Sequence, residues 1–162
     1  GYIPANHWTQ DPKVGGGRII GEACHFIDLC RHLVGHPIVD SNVTYLAGLS
    51  GAPEDTATIS LGFEDGSVAA IHYLSNGHKG FAKERLEAFC DGKILEVDNF
   101  RKLVAHGWKG IKHYKSRTQA KGHHEEIAAV VKSIGEGHDA PIPLEQILES
   151  SRVTLDLATQ NQ

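Results

Sequence analysis

The chain has 162 residues and a formal net charge of −4, with 40% hydrophobic and 22% charged residues. This length suits one domain with a real core, and the slight negative charge offers no basic surface for nucleic acid or an anionic membrane. No apolar run approaches the roughly 18 residues that a membrane span needs, and the first residues lack the features of a signal peptide. The three cysteines are odd in number and lack metal-ligand spacing, so we expect reduced thiols in a cytoplasmic protein.

The first part of the chain predicts an extended lead-in followed by an amphipathic helix. Pro4, Pro12 and the three glycines 15–17 oppose regular structure, whereas apolar residues recur at helical spacing from Ile19 onward. Gly35 is placed to end this helix, with Pro37 just beyond it. The predicted apolar side holds Ile19, Ile20, Ala23, Phe26, Ile27, Cys30, Leu33 and Val34. The predicted polar side holds Arg18, Glu22, His25, Asp28 and His32.

The middle of the chain changes to the two-residue period of strands. In "DTATISLGF" apolar and polar residues alternate, the turn Asp65–Gly66 follows, and "VAAIHYLS" runs back. The same pattern recurs around "DGK" at 91–93, so we expect five or six strands, and two helices then close the chain. This order predicts an α+β fold, an open and mostly antiparallel sheet with helices packed on one face. The other face is predicted to pair with a second copy through Thr58, Ser60, Ala69, Ile71 and Tyr73.

The polar side of the first helix is the candidate for chemistry. Glu22, His25 and Asp28 follow one another at three-residue steps, which places neighbouring side chains together on a helix. A carboxylate beside an imidazole can fix its tautomer and prepare it for acid–base work. A solvated helix face with a chance pair of neighbours explains the same spacing, and the residues alone leave both interpretations open.

Other kinds of site find weaker support in the sequence. The histidines 25, 32, 36, 123 and 124 form no metal-binding motif, and scattered surface histidines explain them better. "GEGHDA" at 135–140 has the letters of a dinucleotide fingerprint but follows a predicted helix rather than a strand. No nucleophile motif surrounds Cys24 or Cys30, for which core packing is the better interpretation. We therefore expect neither a metal nor a nucleotide site in this chain.

The segment "GGGRIIGEACHFIDLCRHLVG" closely resembles the part that follows the nucleotide-binding domain in the glucose-fructose oxidoreductase / inositol dehydrogenase / MocA family. "FEDGSVAAIHYLSNG", "KERLEAFCDGKILEVDN" and the C-terminal helices extend the resemblance over residues 1–162. The resemblance implies a single C-terminal domain for substrate binding and oligomerisation, whose N-terminal Rossmann partner with its Glu-Lys-Pro motif is missing from this chain. It also implies NAD or NADP in the full-length protein, with none bound by this chain alone.

The resemblance further implies where the substrate is held. The branch of the family that it favours acts on sugars or sugar nucleotides, including enzymes of polysaccharide biosynthesis. From the open sheet we expect a homodimer or homotetramer that forms through the sheet face. His25 takes the catalytic position. The implied substrate-binding residues are Tyr2, Asn6, His7, Trp8, Arg18, Gly21, Glu22 and Asp28.

One position departs from the family pattern. Many members carry an Asp four residues before the His, where this chain has Gly21, with Glu22 next to it. The missing side chain is expected to open space beside His25 for a bulky substrate. A free-standing binding or assembly module that has lost catalysis is the alternative function for the chain as a whole.

Overall fold

The computed structural model describes residues 4, 6–11, 13–46, 56–111 and 113–160. A 3₁₀ turn at Trp8–Gln10 and a π turn at Ile19–Ala23 precede the helix α1 (Cys24–Val34). The strands are β1 (Ile38–Tyr45), β2 (Ala57–Phe63), β3 (Val68–Tyr73), β4 (Arg85–Cys90), β5 (Lys93–Asp98), β6 (Lys102–His106) and β7 (Tyr114–Lys115). The helices α2 (His123–Glu136) and α3 (Leu144–Thr159) follow.

These elements form two compact units. The first unit combines the chain up to Gly77 with the segment from Asp139 onward, and the second is His78–His138. Every described strand pairing is antiparallel, in the orders β1-β2-β3 and β4-β5-β6-β7. The predicted α+β class and antiparallel pairing are confirmed, and the strands divide between two small sheets. That residues 1–162 act as a single domain stays a prediction.

The core of the first unit lies between its sheet and the helices α1 and α3. The predicted alternation in β2 is confirmed, since Ala57, Ile59, Leu61 and Phe63 are all buried. The side chains that cover them include those of Ile19, Ala23 and Ile27 before and within α1, and Leu157 of α3. Removing these apolar surfaces from water is the main force that holds the helices to the sheet.

The hairpin between β2 and β3 shows one error in the predicted outer face. Gly66 takes the left-handed conformation at φ 85°, as the predicted turn requires. In the register, Ile71 faces Ile59 and Ala69 faces Leu61, so these residues of β3 share the core side. Tyr73, opposite Ala57, shares that side as well. The prediction placed Ala69, Ile71 and Tyr73 on the outer face with Thr58 and Ser60, and it is wrong by one residue in β3, because a slip of one residue reverses every side chain of a strand.

The second unit contains the other sheet and α2. The Asp91–Gly92 turn between β4 and β5 uses positive φ at both residues, 47° and 71°, as the "DGK" motif predicts. The predicted helix α2 ends at Gly137, which is left-handed at φ 67°. No side chain described in α2 is buried. Its apolar residues Ile127, Val130, Val131 and Ile134 are exposed.

Candidate functional site

The lead-in is folded onto the glycine cluster that opens the first helix. The carbonyl of Asp11 accepts hydrogen bonds from the amides of Val14, Gly15 and Gly16. A Cβ at Gly15 would lie 2.6 Å from the Cα of Thr9 and from the carbonyl oxygen of Trp8. Only glycine permits this approach of two backbone segments, which explains the residue type at this position.

The predicted binding residues of the lead-in make local contacts. Nδ1 of His7 is 2.9 Å from the Thr9 hydroxyl, and the rings of His7 and Trp8 are 5.8 Å apart. Trp8 is 61% exposed and Asn6 is also exposed, so both have surface free for a ligand. The predicted residue Tyr2 lies outside the described residues.

The helix that carries His25 starts with a π turn, which the sequence did not predict. The amide of Cys24 donates to the carbonyl of Ile19, five residues earlier, before regular α-helix begins. The prediction of an uninterrupted helix with 100° per residue is therefore wrong across Ile19–Ala23, since a π turn holds one extra residue. Glu22 and His25 consequently do not have the simple three-residue relation of an α-helix. Such π turns within helices occur frequently at functional sites.

The side chain of His25 has no partner among the described residues. Its side chain is exposed, and no hydrogen bond or ion pair joins it to any residue that the structure describes, including Glu22 and Asp28. Glu22 and Gly21 are exposed as well. A Cβ at Gly21 would meet nothing within 4 Å, so the surface beside this residue is open. The imidazole is available for a ligand that reaches the surface of α1.

Asp28 is held by another partner. The hydroxyl of Ser150 on α3, a buried residue, donates to Oδ1 of Asp28 at 3.0 Å. This bond joins α1 to α3 rather than orienting His25. With this partner, Asp28 contributes to the packing of α1 on α3.

Arg18 reaches from the start of the helix to the sheet. Its Nε donates to the hydroxyl oxygen of Tyr73 at 2.8 Å, and Nη2 donates to the same oxygen. Arg18 is 6% exposed, and its Nη1 is buried without a hydrogen-bond partner among the residues that the structure describes. The sequence did not indicate Tyr73 as part of the site, because 55 residues separate the two side chains and a one-residue error had placed Tyr73 on the outer face.

Cys24 and Cys30 lack the character of nucleophiles. Burial raises the pKa of the Cys24 thiol and also the pKa of the Cys30 thiol. A raised pKa disfavours the thiolate, which is the reactive form. Cys90 is exposed in the second unit, away from α1 in sequence.

Other chemistry finds no site in the described part of the chain. No three His, Cys, Asp or Glu side chains there converge as a metal centre requires. Gly135 lies within α2 and Gly137 ends it, so "GEGHDA" is not a strand-to-helix turn. A search for membrane spans among the same residues finds no helix with the length and hydropathy to cross a bilayer.

Several solved structures share this fold. The aldose-aldose oxidoreductase from Caulobacter crescentus superimposes with a TM-score of 0.73 at 17% identity, over 99% of this chain and 51% of that one. The UDP-N-acetylglucosamine 3-dehydrogenase GnnA from Acidithiobacillus ferrooxidans gives 0.69 at 18% identity, over 91% of this chain and 48% of that one. An NAD binding oxidoreductase from Klebsiella pneumoniae gives 0.74 at 14% identity, over 96% and 52%. This chain thus spans about half the length of these structures.

Family membership rests on the sequence itself. A search among curated proteins finds no significant match. The family model described as "Oxidoreductase family, C-terminal alpha/beta domain" matches residues 2–161, nearly the whole chain. The chain therefore belongs to the glucose-fructose oxidoreductase / inositol dehydrogenase / MocA family, as a C-terminal α/β domain.

Proposed function

We propose that this chain is the substrate-binding and oligomerisation domain of an NAD(P)-dependent oxidoreductase that acts on a sugar or a sugar nucleotide. The observation that carries the proposal is His25, an exposed imidazole with no partner among the described residues, two residues after the end of a π turn. The names of two structural neighbours, an aldose-aldose oxidoreductase and a UDP-N-acetylglucosamine 3-dehydrogenase, support a sugar substrate. The cytoplasmic location and a role in polysaccharide biosynthesis stay predictions.

The described residues do not fit a nicotinamide dinucleotide. Such cofactors bind where a parallel strand leads through a glycine-rich turn into a helix, and the described strands pair only antiparallel. We therefore assign the cofactor, which would accept the hydride, to an N-terminal Rossmann domain.

His25 would act on the proton of the substrate. Oxidation of a sugar hydroxyl removes a hydride from carbon and a proton from oxygen, and the proton needs an acceptor within about 3 Å. The imidazole can accept a hydrogen bond from that hydroxyl or orient the sugar for another base. The Asp28–Ser150 hydrogen bond holds the helix that carries His25 against α3.

Enzyme assays on the full-length protein test this function. Reduction of NAD⁺ or NADP⁺ would be followed by absorbance with panels of aldoses, uronic acids and nucleotide sugars. We expect reduction with at least one of these classes, and no reduction with any of them would contradict the proposal.

A second measurement tests whether the cofactor binds outside this chain. Titration calorimetry of the 162-residue chain alone with NADH and NADPH should show no binding. Micromolar affinity would contradict the assignment of the cofactor to another domain.

A further inference from the structure

Two arginines of the first unit are buried to the same extent, but only one of them is paired with a described carboxylate. Arg18 and Arg31 are each 6% exposed. Nε of Arg31 donates to the carboxylate of Glu149 at 3.0 Å, so its charge is balanced by an opposite charge. Among the described residues, Arg18 has the neutral hydroxyl of Tyr73 as its side-chain acceptor, and no carboxylate there lies within ion-pair distance of it. A buried charge without an opposite charge is costly, and proteins pair such groups or use them for a ligand.

The surroundings of Arg18 also favour negative charge. It stands at the start of the helical segment that runs through the π turn and α1, and no described side chain caps this start. The first amides of a helix lack intrahelical acceptors and carry the positive end of the helix dipole. Gly16 and Gly17, just before Arg18, are left-handed at φ 71° and 82°. A Cβ at Gly17 would meet nothing within 4 Å, which leaves room beside the uncapped end.

Tyr73 holds the guanidinium plane of Arg18 in one orientation. Two of the nitrogens of Arg18, Nε and Nη2, donate to one phenolic oxygen, which fixes the plane of the group. Nη1 then remains a buried donor without an acceptor among the described residues, as does Nη1 of Arg31, so the lack of a carboxylate partner is what sets Arg18 apart. A guanidinium fixed in this way suits a carboxylate or phosphoryl group, whose oxygens match its donors.

We propose that Arg18 and the uncapped start of the helix bind an oxyanion of the substrate, a carboxylate or a phosphoryl group, with Tyr73 as the residue that positions Arg18. The inference rests on the proposed oxidoreductase function and narrows its substrate class to anionic sugars. The anion would balance the charge of Arg18 and supply the missing acceptor for Nη1.

Binding measurements on the full-length protein test the inference independently of catalysis. D-glucuronate is compared with D-glucose, and UDP with uridine, so that each anionic probe has a neutral counterpart. The variants are Arg18→Gln, Arg18→Lys and the matched control Arg31→Gln, each checked for folding by circular dichroism. We expect at least one anionic probe to bind the wild type, and Arg18→Gln to weaken that binding about tenfold or more. Arg18→Lys should retain part of the affinity, because it keeps the charge but loses the planar donors.

The outcomes separate the inference from the proposed function. Binding of glucuronate alone identifies a carboxylate as the ligand group, and binding of UDP alone identifies a phosphate. UDP binding supports the inference only if the Arg18 variants weaken it, because a cofactor domain can also bind phosphates. If neither anion binds, or if both Arg18 variants bind as the wild type does, the inference is overturned even when the enzyme oxidises a neutral sugar.

Arg18-dependent anion binding without oxidation of any sugar would instead support the inference and contradict the proposed function. Should Arg18→Gln fail to fold, the comparison of Arg18→Lys with wild type decides.

Discussion

The exposed imidazole of His25 gives the first prediction at the scale of single residues. In the full-length enzyme, His25→Ala should lower kcat by about 10²-fold or more, the range of general acid–base groups, since the substrate hydroxyl loses its partner. The Kd for NAD(P) should not change. His32→Ala is the matched control, because His32 is also an exposed histidine of α1. A His25→Ala variant within threefold of wild type in kcat/KM would show that His25 is only a surface residue.

For the contact between Asp28 and Ser150 we predict an effect on stability rather than on catalysis. The hydrogen bond between them joins two helices, so Ser150→Ala should lower the free energy of unfolding by about 1–2 kcal/mol and leave kcat within threefold. Asp28→Asn should likewise reduce kcat less than His25→Ala does. Urea unfolding and steady-state kinetics on the same samples measure both effects. A large kcat loss with unchanged stability would assign Asp28 to the chemistry instead.

The residue types of the site were predictable, but their partners were not. His25 and Arg18 stood out because polar side chains on one side of an amphipathic helix are visible in the sequence. The hydrogen-bond partners of Asp28 and Arg18 lie 122 and 55 residues away in the chain. Local periodicity carries no information about contacts at that separation, so neither Ser150 nor Tyr73 could be identified from it.

At the scale of elements, patterns with strong local causes were predicted correctly. The alternation of β2 and the glycine turn at Gly66 follow from the pleat and from backbone sterics. The π turn was missed because its single extra residue leaves the apolar pattern of the helix nearly unchanged. The face of β3 was wrong because the strand is short and of mixed polarity, which specifies its register only weakly.

Two glycines near the π turn differ in what a side chain would meet, and this difference is testable. Gly15→Ala brings a methyl group to 2.6 Å from backbone atoms of Thr9 and Trp8, so we expect a loss of about 1 kcal/mol or more in the free energy of unfolding. Gly21→Ala meets nothing within 4 Å and should be neutral or stabilising by up to about 1 kcal/mol. Urea denaturation followed by circular dichroism compares the pair. Equal stabilities would mean that the lead-in does not pack on Gly15 in solution.

At the scale of the whole molecule, the outer face of the first sheet is the surface through which the sequence predicts self-association. With the register of β3 corrected, this face carries Ser60 opposite Ala70 and Thr58 opposite His72, with no apolar residue larger than Val68 on β2 and β3. The Thr58 hydroxyl and Nδ1 of His72 are hydrogen-bonded at 3.0 Å, which satisfies part of the polar surface within the sheet. Small side chains at the centre let two sheets approach closely, and Asp40 of β1, opposite Gly62, adds a charged side chain toward the margin of this face.

We therefore expect the chain to form a dimer or a larger oligomer through this face. Light scattering of the wild type should give a multiple of the 17.6 kDa chain mass. Ser60→Arg should shift the population to monomer, because two copies of the substitution would bring like charges into the contact and bury them unpaired. Ser151→Arg, a matched change at an exposed position of α3, should leave the mass unchanged. A wild type that stays monomeric at high micromolar concentration would rule out the sheet-to-sheet contact. Equal dissociation by both variants would instead show that the contact lies elsewhere and responds only to added charge.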